Sequence, residues 1–140
     1  MFLTNFKFYY LFAFLAIGMA VVGCDDDDDH DDDHDDNEIT INIESPTDGG
    51  TVADCAEVHI HVDVIATDEN HEFELILHPD GDASNLILDV DMHDHDAVLN
   101  FEQDVNLCDF PAGTCFELDV VACVDHDCEE TESASVNFCI

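Results

Sequence analysis

The sequence almost lacks fixed positive charge. Its 140 residues include one Lys or Arg against 36 Asp and Glu, which gives a formal net charge of -35. The single base is Lys7, close to the N-terminus. Binding to phosphate groups depends on Lys and Arg, which displace the counterions of the phosphates. The composition therefore excludes nucleic acid as a partner, ATP-type phosphate sites and networks of salt bridges.

Hydrophobic residues, in contrast, are plentiful. They make up 46% of the chain and include 10 Phe, which is more than an acidic, intrinsically disordered protein contains. Part of the chain must therefore bury a core, and 140 residues leave room for one domain of ordinary size.

Residues 1–23 have the pattern of a signal peptide. Lys7 ends a short n-region, and Phe8–Val22 is an apolar stretch too short to span a membrane comfortably. The sequence Val21-Val22-Gly23-Cys24 resembles a bacterial lipobox. This resemblance implies that Cys24 is acylated and anchors the mature protein to a Gram-negative membrane. The alternative is a signal anchor with an incidental Cys.

Residues 24–38 are expected to form a disordered acidic linker. Asp25–Asp36 reads DDDDDHDDDHDD, a run that repels itself and stays extended. Acidic residues after a lipidated Cys are similar to a signal for export to the outer face of the outer membrane, although in enteric-type sorting an Asp there favours the inner membrane. We expect a cell-envelope protein exposed at the surface, with the leaflet left open. His30 and His34 would bind divalent cations only weakly and without selectivity.

From Ile39 onward, apolar and polar residues alternate with period two. No segment of a dozen residues repeats with the 3.6-residue period of a helix, and turn clusters of Ser, Pro, Asp and Gly separate the alternating segments. The expected strands cover 39–43, 58–64, 73–77, 86–92, 97–105, 116–124 and 134–140. Seven short strands in about 100 residues predict an all-β, antiparallel sandwich of two sheets over residues 39–140.

Three motifs within this region, in this order, resemble bacterial immunoglobulin-like domains of surface lipoproteins. They are Ile43–Val52 with its Ser45-Pro46 and Gly49-Gly50 turns, the corner Phe110–Thr114, and Val120–Asp125. The resemblance implies a seven-strand immunoglobulin-like sandwich that acts as a non-catalytic binding or structural module for an unknown protein or glycan. The Trp of antibody domains and their inter-sheet Cys pair are absent, so only the broad bacterial group is implied.

Six cysteines remain once Cys24 is assigned to the lipid, an even number in a chain expected to leave the cytoplasm. Two pairs are close in sequence and bracket turns, Cys108 with Cys115 and Cys123 with Cys128. In an immunoglobulin topology Cys55 and Cys139 lie at the same end of the sandwich. We therefore expect these three pairs as disulfides. A cysteine zinc site is disfavoured because no paired C-x2-C framework is present.

Two His-x-His groups carry the metal chemistry of the sequence. His59 and His61 project from one face of a predicted strand beside Asp63, and His93 and His95 repeat the spacing. Histidines two residues apart on a strand lie about 7 Å apart at Cα, so both rings can reach one ion. If the two groups converge, the alternative function is an envelope protein that binds zinc or copper.

Calcium is a further candidate, because three Asp-rich turns offer hard oxygen ligands without the spacing of an EF-hand. These turns are Asp80–Asp82, Asp89–Asp96 and Asp125–Glu130. Enzyme function is not expected. No Ser lies in a Gly-x-Ser-x-Gly elbow, and every Cys has a structural role. The His-x-His pair of copper-zinc superoxide dismutases is matched only as a dipeptide pattern.

Overall fold

The computed structural model describes residues 37–140, which form an all-β fold with eight strands. The predicted signal peptide, Cys24 and nearly all of the acidic linker lie outside the described residues. The strands are β1 (Ile39–Ser45), β2 (Gly50–Thr51), β3 (Val58–Ala66), β4 (Glu72–Pro79), β5 (Leu88–His93), β6 (Val98–Val105), β7 (Cys115–Cys123) and β8 (Thr131–Cys139). Within residues 37–140, no helix is both long enough and apolar enough to cross a membrane.

The strands form two sheets. One sheet has three strands in the order β1-β3-β6, and the other has five in the order β2-β8-β7-β4-β5. The predicted all-β class, with two sheets and mostly antiparallel pairing, is confirmed. One pairing was not expected: β2, only two residues long, runs parallel to the end of β8. Two residues are too few to show alternation, so the sequence gives no signal for this strand.

The core lies between the sheets and is built by the predicted alternation. In β3, Val58, Ile60, Val62 and Val64 are at most 1% exposed, while the polar residues between them face outward. The same alternation buries Phe73 in β4, and its ring lies 6.0 Å from the Phe101 ring of the opposite sheet. Each fully buried side chain of this size contributes about 1.5–3 kcal/mol of transfer free energy. The core therefore fixes which face of every long strand points to solvent.

Three disulfides are present, and two of the predicted pairings are wrong. The structure joins Cys55 to Cys108 and Cys115 to Cys139, whereas the sequence favoured Cys55 with Cys139 and Cys108 with Cys115. The third bond joins Cys123 to Cys128, the remaining expected pair.

Strand pairing explains both differences. Cys115 and Cys139 are directly opposite each other in the β7–β8 ladder. Cys55 precedes β3 and Cys108 follows β6, and β3 is antiparallel to β6 with Val58 opposite Val105. The Leu107 amide also donates to the Cys55 carbonyl at 2.7 Å, which brings the two chain segments together. The register of the paired strands therefore determines which cysteines are joined. A shared end of the sandwich is not sufficient to predict the pair.

Candidate metal centre

Four histidines meet where three strand connections come together at one end of the sandwich. His71 ends the β3–β4 connection, His93 and His95 lie at the end of β5 and just after it, and His126 lies between β7 and β8. Antiparallel pairing brings these segments together, because Glu72 at the start of β4 pairs with His93 and the neighbouring Phe73 pairs with Ala122 near the end of β7. We call His71, His93, His95 and His126 the histidine cluster.

Each imidazole of the histidine cluster lies within 6.2 Å of at least two others, measured between ring centroids. Ring centroids lie 4.6 Å apart for His93 and His95, and 4.9 Å apart for His71 and His126. His95 lies 5.9 Å from His71 and 5.6 Å from His126, and His93 lies 6.2 Å from His126. His71 is buried and the other three are exposed, so the cluster extends from the protein interior to solvent.

Two ring nitrogens of the cluster are at the spacing of ligands to a shared ion. His93 Nε2 and His95 Nε2 are 3.0 Å apart. Imidazole nitrogens bind zinc at about 2.0–2.1 Å, so two of them on one ion lie about 2.9–3.4 Å apart for bond angles between 90° and the tetrahedral value. Without a cation between them, one of these nitrogens must donate a proton to the other.

Glu69 is placed to orient two of the histidines. Its Oε2 lies 3.5 Å from Nδ1 of His95 and its Oε1 lies 4.0 Å from Nδ1 of His71. Ligating atoms of these three residues all lie within 4.8 Å of one another. Nδ1 of His71 is buried and has no hydrogen-bond partner, which is costly unless another group satisfies it. A carboxylate behind a ligating imidazole is the usual outer-shell arrangement of metal sites, in which the other ring nitrogen, Nε2, holds the ion.

Two asparagines hold the three connections in place. The Asn37 side-chain amide donates to the backbone carbonyls of Glu69 and Val124, at 2.8 and 2.9 Å. The Asn70 amide donates to the Asp96 carbonyl at 2.7 Å, so the β3–β4 and β5–β6 connections are tied together. These bonds fix the backbone on which the histidine cluster stands.

The loop that carries His126 is closed by the Cys123–Cys128 disulfide. Within the loop, the carboxylate of Asp125 accepts hydrogen bonds from the backbone amides of Glu129 and Glu130, at 2.8 and 3.3 Å. Crosslink and turn together limit the conformations of the loop, which lowers the entropy lost when His126 binds a ligand. The disulfide sulfurs also lie near Glu72, but they are not thiolates and so do not offer the ligands that zinc prefers.

An acidic pocket of about 540 Å³ borders the cluster. Its lining includes His71 and His126 together with the six carboxylates of Asp68, Glu69, Asp125, Asp127, Glu129 and Glu130. Since no Lys or Arg follows Lys7, nothing of fixed positive charge offsets these groups in the described residues. A cleft lined by one sign of charge raises the local concentration of the opposite ion. The pocket therefore attracts cations toward the cluster.

The structure does not bring the two predicted His-x-His groups together. His59 and His61 lie on the outward face of the three-stranded sheet, where His59 contacts Asp104 at 2.9 Å and His61 contacts Asn100 at 3.0 Å. His61 precedes Ala66, at the cluster end of β3, by five residues, about 17 Å along the strand. The two groups therefore face different directions at different ends of the sandwich, and Asp63, held by Asn100 at 2.7 Å, stays with His61.

The Asp-rich turns considered for calcium use carboxylates to support their own backbone or side chains. Asp94 accepts a hydrogen bond from the Asp96 amide at 2.9 Å, and Asp82 accepts one from the Ser84 hydroxyl at 2.7 Å. Every group of three ligating side chains found within residues 37–140 includes a His or a Cys. Calcium binding in these turns stays a prediction.

One further histidine is buried on the outer face of the five-stranded sheet. His78 Nδ1 donates to the Pro79 carbonyl at 3.0 Å, and Nε2 faces the Asp119 carboxylate at 3.1 Å. The hydrogen bond to Pro79 raises the pKa of His78, desolvation opposes this rise, and the Asp119 and Glu117 carboxylates add to it. This imidazole is thus held toward its protonated form.

Sequence reasoning identified His93 and His95 but not His71, His126 or Glu69. The His-x-His spacing is visible in one strand, whereas His71 and His126 are isolated in sequence and are recognised only once β4, β5 and β7 are placed side by side. Only the order of the strands in the sheet could have indicated them, since the three connections lie at the same end of the neighbouring strands β7, β4 and β5. Comparison of the chain with protein-family models and with curated proteins finds no match to either.

Proposed function

We propose that the protein binds one transition-metal ion, zinc or copper, through the histidine cluster. The observation that carries this proposal is the convergence of four of the seven histidines among residues 37–140 from three separate connections. Imidazole is a preferred ligand of both ions, and the carboxylates that line the neighbouring pocket attract cations with no Lys or Arg among residues 37–140 to repel them. That the protein is not an enzyme stays a prediction of the sequence.

The ligand set favours transition metals over calcium and magnesium. Those two hard ions take oxygen ligands, whereas the cluster offers ring nitrogens, two of them 3.0 Å apart. Glu69 lies behind His71 and His95, where it fixes ring orientation and raises the basicity of the nitrogens. The buried Nδ1 of His71 marks the inner side of the site, and the exposed rings leave an entry path.

The scaffold is proposed to be immunoglobulin-like. The seven-strand type places the first, second, fourth and fifth strands in one sheet and the third, sixth and seventh in the other. Leaving out the short β2, the long strands here follow this grouping except for the fourth, β5, which lies beside the third, where variable-type domains carry added strands. A protein or glycan partner for this scaffold stays a prediction of the sequence.

The two His-x-His groups provide a matched experiment. In the full chain with Cys24→Ser, His30→Gln and His34→Gln, which removes a free thiol and weak linker ligands, zinc is titrated against a competing chelator. His93→Gln with His95→Gln should abolish the tightest zinc equivalent, because two ligands are lost. His59→Gln with His61→Gln changes the same residue types at the same spacing and should leave that equivalent intact.

Equal effects of both double variants, or none of either, would refute the histidine cluster as the site. A separate single variant tests the orienting group. Glu69→Gln keeps size and polarity but removes the charge behind two imidazoles, so zinc affinity should fall by about 10–100-fold.

We also propose that the domain is held at the cell envelope by lipid on Cys24, the first residue of the mature chain, and is exposed at the surface of the outer membrane. The support is the sequence Val21–Cys24 followed directly by Asp25–Asp36. Cys24→Ser should release the protein from membranes or leave the signal segment uncleaved. Unchanged partitioning into detergent at an unchanged mature mass would rule out the anchor.

A further inference from the structure

A second group of ligating side chains lies on the outer face of the five-stranded sheet, away from the connections that carry the histidine cluster. It consists of His78 on β4 and Glu117 and Asp119 on β7. Their ligating atoms all lie within 4.8 Å of one another. His78 Nε2 is 3.1 Å from Asp119 Oδ2 and 4.0 Å from Glu117 Oε2.

The backbone that holds these three residues is rigid. β4 and β7 are inner strands of the sheet, each paired on both sides. Glu117 is directly opposite His78 in the β4–β7 ladder, and Asp119 is two residues further along β7 on the same face. The three side chains therefore start from fixed positions, and little order has to be created when an ion binds.

The hydrogen bonds of His78 leave its Nε2 pointing at oxygen acceptors. The Pro79 carbonyl can only accept, so Nδ1 carries a proton and donates it. In the neutral ring Nε2 would then present a lone pair to the Asp119 carboxylate, which repels it. The side chain of His78 is only 6% exposed, so water cannot easily relieve this repulsion. A cation must lie between the two groups, either a proton or a metal ion.

A proton and a divalent metal ion differ in how much of the local negative charge they offset. A proton on His78 offsets one of the two carboxylates, Glu117 and Asp119, and leaves the other without a partner of fixed positive charge in residues 37–140. A divalent ion offsets both. The carboxylates are 33% and 39% exposed, so the site opens to solvent on the side where an ion and a coordinating water would enter.

The geometry points to a second divalent metal site, in which His78 Nε2, Glu117 and Asp119 bind zinc or a similar transition ion. One imidazole and two carboxylates, with a water in the fourth position, match the donors and coordination number that zinc accepts. The Nδ1 bond to the Pro79 carbonyl is the outer-shell contact that fixes the ring orientation. This site shares no residue with the histidine cluster, so an experiment can refute either of the two proposed sites and leave the other standing.

The test follows the His78 side chain by 15N NMR during a zinc titration. The full chain carries Cys24→Ser, His30→Gln and His34→Gln, and a second sample adds His93→Gln and His95→Gln to remove the first site. In both samples zinc should shift Nε2 of His78 strongly while Nδ1 remains protonated, and the shift should saturate at one equivalent for this site. A His78 spectrum unchanged by saturating zinc would overturn the proposal and leave a proton as the bridging cation.

Carboxylate variants provide the matched control. Asp119→Asn and Glu117→Gln should each weaken zinc binding at His78 by at least about tenfold. Glu74→Gln removes one charge from the same face of β4 without touching the group and should leave the affinity unchanged. Equal weakening by all three variants would mean that only the general negative field attracts zinc, and would overturn the site.

Discussion

Zinc is expected to raise the thermal stability of the protein far more than calcium does. An ion that binds only the folded chain stabilises it by about 4.1 kcal/mol at a thousandfold excess over its dissociation constant. The histidine cluster exists only when the β3–β4, β5–β6 and β7–β8 connections meet, so the unfolded chain offers no equivalent site. For a domain of this size the gain corresponds to a rise in Tm of roughly 15 °C or more.

The measurement compares thermal unfolding of the full chain in sodium, calcium and zinc chloride at matched ionic strength. Sodium should stabilise modestly, because the 36 carboxylates of the chain repel one another and salt screens them. The extra gain in zinc should shrink markedly in the His93→Gln, His95→Gln variant and persist in His59→Gln, His61→Gln. Equal effects of the three salts would mean that they act only by screening the repulsion between carboxylates, and would contradict a specific zinc site.

Loss of the Cys55–Cys108 disulfide should cost more stability than loss of any other crosslink. In the chain-entropy model, its sequence separation of 53 corresponds to about 4 kcal/mol, against about 3.5 kcal/mol for the separation of 24 between Cys115 and Cys139. The bond between Cys123 and Cys128, with a separation of 5, contributes about 2 kcal/mol. Urea denaturation of the three paired Cys→Ala variants should show this order.

Peptide mapping without reduction checks the connectivity on which that order depends. Fragments that link Cys55 to Cys108 and Cys115 to Cys139 are expected. A fragment that links Cys55 to Cys139 would contradict the strand pairing of β3 with β6 and of β7 with β8.

The Cys123→Ala, Cys128→Ala variant also tests the histidine cluster. Loss of this disulfide frees the loop that carries His126, so the variant should weaken zinc binding more than the Cys→Ala variants of the other two disulfides do.

Much of the fold follows from local alternation. The pattern around Val58–Val64 specifies a strand with one buried face, because a shift of one residue would place its histidines in the core. Alternation does not say which strands are neighbours. The pairing of β3 with β6, and with it the Cys55–Cys108 bond, depends on contacts between distant segments. The Cys115–Cys139 bond joins neighbours in the sequence order of strands, since Cys115 begins β7 and Cys139 ends β8, at the open end of one hairpin.

For the same reason, the sequence predicts only half of the histidine cluster. His93 and His95 are close in sequence and have the spacing of ligands, so the pattern indicates them. His71 and His126 become candidate ligands only through the order of β5, β4 and β7 in the sheet. His78 was hidden differently: it has the outward parity of a solvent-facing residue, yet its side chain is only 6% exposed, which alternation cannot predict.

X-ray absorption at the zinc edge tests the central claim most directly. The full chain with Cys24→Ser, His30→Gln and His34→Gln is loaded with less than one equivalent of zinc, so that the tightest site is observed. We predict a shell of nitrogen and oxygen ligands at about 2.0–2.1 Å with the multiple-scattering pattern of at least three imidazoles, supplied by the histidine cluster. A shell of carboxylate and water oxygens, with fewer than three imidazoles, would contradict the account.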